Sequence, residues 1–123
     1  VDLVVRAIEE ARGGEIYVSK IPSYKVTDLA KAVLKDVKLK EVGIREGEKL
    51  HEVMITEEDS RLTYDYGDHY IIYPHFDWWD VNKSLKIGGL RVPEGFRYSS
   101  DNNDEWLSED GMREKLKSIE VVY

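Results

Sequence analysis

Hydrophobic positions along the chain change period several times, and each change marks an element. Val4, Val5, Ile8 and Ala11 share one face of a helix already under way at Val1. Gly13 and Gly14 stop it, and the alternation Ile16, Val18 reads as a strand. Lys20 to Ser23 make a loop, since Pro22 keeps the residue before it out of helical geometry. Ser23 or Thr27 is placed to cap a second helix, whose stripe is Val26, Leu29, Ala30, Val33 and Leu34. Leu39, Val42 and Ile44 predict a short strand broken at Gly47, and Leu50, Val53 and Met54 predict one face of a short helix. Thr56-Glu57-Glu58-Asp59 has the form of a cap followed by an acidic first turn. Tyr70 to Tyr73 predict a compact strand, residues 74–95 irregular structure or short hairpins, and Ser108 to Lys117 a last helix with Met112 and Leu116 inward.

This order of helices and a few short strands is an α/β mixture without a long βαβ series. With a helix under way at the first residue, the chain reads as part of a larger protein.

Composition narrows the classes. The 123 residues are 41% hydrophobic and 35% charged, the balance of one globular domain or a piece of one. Against 25 Asp and Glu stand 18 Lys and Arg, a net charge of −7 with both signs interspersed, which disfavours nucleic acid as a partner. The absence of cysteine removes disulfides, thiol nucleophiles and thiolate metal sites. No apolar run approaches the roughly 18 residues of a membrane span, and no secretory leader opens the chain. The expectation is a cytoplasmic protein with no membrane partner.

No complete catalytic set is visible. There is no Gly-x-Gly-x-x-Gly, no Walker loop, no Gly-x-Ser-x-Gly elbow, and no Tyr followed four residues later by Lys. His69, His75, Asp68, Asp77 and Asp80 form the one cluster with metal-like chemistry, but two imidazoles across a proline are more simply polar residues on a strand edge. Tyr70, Tyr73, Phe76, Trp78 and Trp79 can fill a core, line an interface or stack on a sugar ring. The segment from Gly43 to Glu52 is richer. Arg45 supplies a planar fork for phosphate oxygens, Gly47 lets the backbone turn tightly, and Glu48 can accept from the vicinal hydroxyls of a ribose. From residue types alone, a solvated charged turn is the commoner reading of the same stretch.

Four stretches carry a family likeness: Gly14 to Ser23 (GEIYVSKIPS), Asp28 to Ala32 (DLAKA), Gly43 to Ile55 (GIREGEKLHEVMI) and Gly95 to Leu107 (GFRYSSDNNDEWL). In order and spacing they resemble the carboxy-terminal region of UDP-N-acetylglucosamine 4,6-dehydratases. The C5-inverting branch of surface-sugar and flagellin-sugar biosynthesis is the nearest, with capsule 4-epimerases next. The resemblance implies an extended short-chain dehydrogenase/reductase in which an NADP-binding Rossmann domain precedes this region and supplies the catalytic tyrosine and lysine. It implies oxidation at C4 of the hexose, loss of water across C5 and C6, and return of the hydride to C6.

On that resemblance the fold class is α/β, the small mixed helix-strand substrate-binding part of such an enzyme without its Rossmann domain. Residues 1–73 are the substrate-binding part and 74–123 a carboxy-terminal extension. Carried over position by position, Arg45 contacts the diphosphate and Glu48 the uridine ribose, and Lys20 is a further candidate on the sugar. The family's Arg-Pro-Gly-Glu has Glu46 in place of proline here, which implies a less rigid turn and an added negative charge. The partners implied are a UDP-sugar, the preceding domain and a second copy in a homo-oligomer. No catalytic residue, metal or NADP site is expected within these residues. A 4-epimerase portion, or a non-catalytic binding or oligomerisation module, is the alternative.

Overall fold

The structure is a computed structural model and describes residues 1–34, 36–76, 78–80, 86 and 88–119. It divides into two compact units, one of residues 1–20 with 53–99 and one of 21–52 with 100–123.

In the first unit, helix α1 (Asp2–Glu10) lies against strand β1 (Ile16–Ser19). Strands β3 (Thr63–Asp65), β4 (His69–Ile72) and β5 (Leu90–Arg91) join β1 in an antiparallel sheet of order β1-β4-β3-β5. A two-stranded ribbon pairs β2 (Val53–Ile55) with β6 (Tyr98–Ser99). Every residue of β4 is buried, because it is central and covered on both faces. Alternation sorts its side chains. Tyr70 and Ile72 join Val18, Ile55, Val92 and Tyr98 in the core, with Leu62 and Phe96 packed on it. His69, Ile71 and Tyr73 face the other way. The Tyr70 ring lies 5.4 Å from that of Phe96 and 5.3 Å from that of Tyr98, so aromatics fill much of the core. The apolar face of α1 stays open, with Val4, Val5 and Ile8 exposed.

In the second unit, α2 (Val26–Val33) packs on α3 (Glu109–Ser118), and the Arg113 guanidinium donates to the Lys31 carbonyl at 3.1 Å. Ser108 caps α3 by accepting from the Gly111 N–H at 3.2 Å. Acidic residues sit in the first turn of α3 and lysines in the last, as the helix dipole favours. Met112 is buried as its position predicts, whereas Leu116 remains 37% exposed.

Three local expectations are corrected. Residues 36–52 contain no strand, because Leu39, Val42 and Ile44 lack strict alternation and find no pairing partner among the described residues; all three stay exposed. Val53 to Ile55 is a strand rather than part of a helix, since the β-branched Val53 and Ile55 pair with β6 and Ile55 reaches the core. Neither Ser23 nor Thr27 caps α2. Lys25 holds the cap position without a side-chain bond, and Ser23 is instead buried in a parallel bridge to Trp106. The segment at Thr56 leads into a short 3₁₀ turn, Asp59–Leu62, whose cap position is held by Glu58 without a side-chain bond, while Thr56 and Asp59 bond each other. Asp59 accepts from the Thr56 N–H at 3.1 Å and its hydroxyl at 2.6 Å, while the Thr56 hydroxyl accepts from the Asp59 N–H at 3.3 Å.

Candidate functional site

The Arg45-Glu46-Gly47-Glu48 segment folds as a closed turn in the second unit. The Glu48 N–H donates to the Arg45 carbonyl at 3.1 Å, and the Arg45 N–H donates to Glu48 Oε2 at 2.7 Å. Gly47 has φ +83°, the conformation that the third position of a type II turn requires and that a side chain would disfavour. Glu46 occupies the second position, where proline would preset the backbone; the two bonds of Glu48 close the turn without it. Glu48 Oε1 is 3.9 Å from Arg45 Nε, and the Arg45 side chain is 81% exposed, so its guanidinium faces solvent. An open hollow of about 790 Å³ beside the turn is lined by Val42, Ile44, Leu50, Glu48 and Glu52 among others. A turn of this form can present one guanidinium and one carboxylate a few ångströms apart to a ligand bearing both phosphate and hydroxyl groups.

Lys20 belongs to the first unit. Its ammonium bonds Asp65 Oδ1 at 2.7 Å and lies 4.5 Å from the centre of the Tyr70 ring. Burial would lower its affinity for the proton, but the Asp65 bond and the Tyr70 hydroxyl outweigh that and hold it above the usual lysine value. The lysine is thus partly buried and engaged, and it keeps further donor capacity.

The richest polar cluster of the first unit was not assigned from sequence. His69 is sandwiched between Tyr17, at 5.9 Å between centroids, and Tyr66, at 5.4 Å, with both rings nearly parallel to it. Its Nδ1 lies 2.6 Å from Asp68 Oδ1 and 3.1 Å from the Arg6 guanidinium. A carboxylate at 2.6 Å demands a proton on Nδ1, and in the neutral ring that leaves Nε2 as an acceptor, buried and without a partner among the described residues. Lys86 donates to the Tyr17 hydroxyl at 2.6 Å and to Glu10, and the Tyr66 and Tyr73 hydroxyls share a bond of 2.8 Å. Burial, then the bond to Tyr73, pushes the Tyr66 phenol well above its usual range. The adjacent Asp68-His69 pair was the only sequence signal for this cluster.

Bonds from His69 and from Arg6, 2.9 Å away, lower the Asp68 carboxyl to about 2 from an ordinary value near 3.9. Its contribution to stability is therefore complete above about pH 4 and disappears as pH falls through about 2. In thermal melts the gap between wild type and Asp68→Asn is expected to close as pH falls from 4 to 2. A gap unchanged at pH 2 would show that the carboxylate does not act through its charge.

Among the described residues no group of three or more His, Cys, Asp or Glu is arranged to hold a metal. Strand β4 ends before Pro74, so His69 and His75 do not lie on one continuous strand. Asp77 lies outside the described residues. No helix among the described residues is long and apolar enough to cross a membrane.

The loop from β1 to α2, Lys20-Ile21-Pro22-Ser23-Tyr24-Lys25, contains no glycine, and the strands paired in both sheets are antiparallel.

Fold and site together define a small mixed α/β structure with antiparallel sheets and an arginine-carboxylate turn. The family model described as polysaccharide biosynthesis protein matches residues 1–74. An inverting UDP-N-acetylglucosamine 4,6-dehydratase of Campylobacter jejuni is 43% identical over 98% of this chain and 37% of its own length. A UDP-glucose 4-epimerase of Rickettsia canadensis is 40% identical over 99% of this chain and 37% of its own. The X-ray structure of Pen from Bacillus thuringiensis superimposes with a TM-score of 0.72 at 25% identity, covering 92% of this chain and 34% of that one. The chain belongs to the polysaccharide biosynthesis protein family, within the extended short-chain dehydrogenase/reductase superfamily that its motifs resemble. It spans about 37% of the length of these dehydratase and epimerase relatives.

Proposed function

We propose that this chain is the nucleotide-sugar-binding part of an NADP-dependent UDP-N-acetylglucosamine 4,6-dehydratase that makes a surface-polysaccharide or flagellin sugar in the cytoplasm. Arg45 binds the diphosphate and Glu48 the uridine ribose. Lys20 is a separate contact of the sugar, made with the donor capacity left after Asp65. NADP and the catalytic tyrosine and lysine belong to a Rossmann domain outside these residues, so the segment alone is inactive. Residues 1–73 serve the substrate and 74–123 extend the structure, a division of role distinct from the packing units, and the enzyme is a homo-oligomer.

The observation that carries the reading is the closed Arg45–Glu48 turn, with its guanidinium turned to solvent, in a chain 43% identical to an inverting dehydratase. The exposed apolar face of α1 supports a further domain packing there. The 40% identity to a 4-epimerase favours a second reading, in which the same turn holds a UDP-sugar for epimerisation.

Calorimetry of UDP-N-acetylglucosamine binding to the full-length enzyme, wild type against Arg45→Ala, tests the site. Loss of a charge-assisted phosphate bond of about 1.5 to 3 kcal/mol predicts affinity weakened roughly 10- to 150-fold. Unchanged affinity would make Arg45 a surface charge and remove the assignment. Product analysis on the same enzyme separates the two readings, since a dehydratase releases a 4-keto-6-deoxy sugar and an epimerase does not.

A further inference from the structure

Residues 36–52 have no helix or strand, so the turn that carries Arg45 and Glu48 takes its position from wherever this segment is tied down. One tie lies four residues beyond Glu48. The Glu52 N–H donates to Ser100 Oγ at 3.1 Å, and the Ser100 N–H donates to the Glu52 carbonyl at 2.9 Å. Ser100 is itself held, because the residues after it are strapped to the start of the same unit. Asn103 Nδ2 donates to the Ile21 carbonyl at 2.7 Å and to Ser23 Oγ at 3.2 Å. Ser23 N–H donates to the Glu105 carbonyl at 2.8 Å, and Leu107 N–H to the Ser23 carbonyl at 2.8 Å. The Trp106 indole N–H closes on the Asn103 carbonyl at 2.7 Å.

We propose that Ser100 is a positioning residue for nucleotide binding: its hydroxyl, carried on the 100–107 strap, fixes Glu52 and through it the Arg45–Glu48 turn. The inference rests on the nucleotide-sugar reading of that turn. Four residues of chain extend at most about 14 Å, so a fixed Glu52 restricts where the Arg45 guanidinium can reach, and a loosened one lets the turn sample non-binding positions. Glu52 is exposed, so water can take over its N–H when the hydroxyl is removed. The consequence is a change in binding with little change in stability.

The experiment is a cycle of Ser100→Ala and Arg45→Ala in the full-length enzyme, read by calorimetry with UDP as the probe and accompanied by thermal melts and by Ser100→Thr. Ser100→Ala is expected to weaken UDP about 3- to 10-fold with a melting temperature within about 3 °C of wild type, and Ser100→Thr, which keeps the hydroxyl, to bind within about twofold of wild type. In the Arg45→Ala background Ser100→Ala should change affinity less than twofold, because the group it positions is gone. The proposal is overturned if Ser100→Ala binds UDP as wild type does, or if its loss is the same with and without Arg45. If Arg45→Ala alone leaves UDP affinity intact, the nucleotide-sugar reading itself has failed and the proposal with it, a result that is distinct from failure of Ser100 alone.

Discussion

Replacing Ile55 with alanine is expected to lower the unfolding free energy by about 2 to 5 kcal/mol, measured by urea denaturation with an unchanged slope and a lower midpoint. Ile55 is fully buried and sits in the cluster formed with Val18, Tyr70, Ile72, Val92 and Tyr98. Its neighbours are mostly aromatic rings and strand residues held by backbone pairing. They have little freedom to collapse into the space that three missing carbons would leave. A loss of that size is a large share of the roughly 5 to 15 kcal/mol by which domains are stable. A cost under about 1 kcal/mol would mean that the ribbon β2-β6 is not part of the cooperative core.

Gly89→Ala should be the next most damaging substitution, at about 1 to 3 kcal/mol. A Cβ at this position would stand 2.5 Å from Tyr66 Cζ, 2.6 Å from its hydroxyl oxygen and 2.8 Å from Cε1, so the ring must move. The ring is not free to do so. It stacks on His69 at an interplanar angle of 17°, and its hydroxyl is bonded to that of Tyr73 at 2.8 Å. Shifting it therefore disturbs the buried cluster around His69 as well. With Tyr66 first truncated to alanine, the added Gly89→Ala change should cost almost nothing, since the clash has been removed. If both backgrounds lose the same amount, the effect lies in the backbone of Gly89 and not in the contact with Tyr66.

Whether a feature can be found in a linear sequence depends on how far apart its parts lie. The Arg45–Glu48 turn was legible because its parts are contiguous: a turn needs only neighbouring residues, and Gly47 supplies the positive φ. Ser100 was not, since its link to Glu52 joins positions 48 residues apart. The His69 cluster failed for a related reason. Arg6, Tyr17 and Lys86 come from segments far in sequence from the turn that carries Tyr66 and Asp68, and registry between β1 and β4, Val18 opposite Tyr70 and Ser19 opposite His69, is needed to bring Tyr17 to His69.

The sequence by itself determined the three helices, the strands at Ile16 and Tyr70, the charged turn and the family likeness. All of these rest on local periodicity, on turn residues that are neighbours in the chain, or on ordered motifs. Tertiary structure alone decided that Leu39 to Ile44 stays unpaired, that Val53 to Ile55 becomes a strand, and that Ser23 is buried beside Trp106 and not at a helix end. A short apolar run does not carry its own partner. Whether it pairs depends on a distant segment offering free backbone groups in register, which Tyr98–Ser99 does for β2 and no described residue does for Leu39 to Ile44.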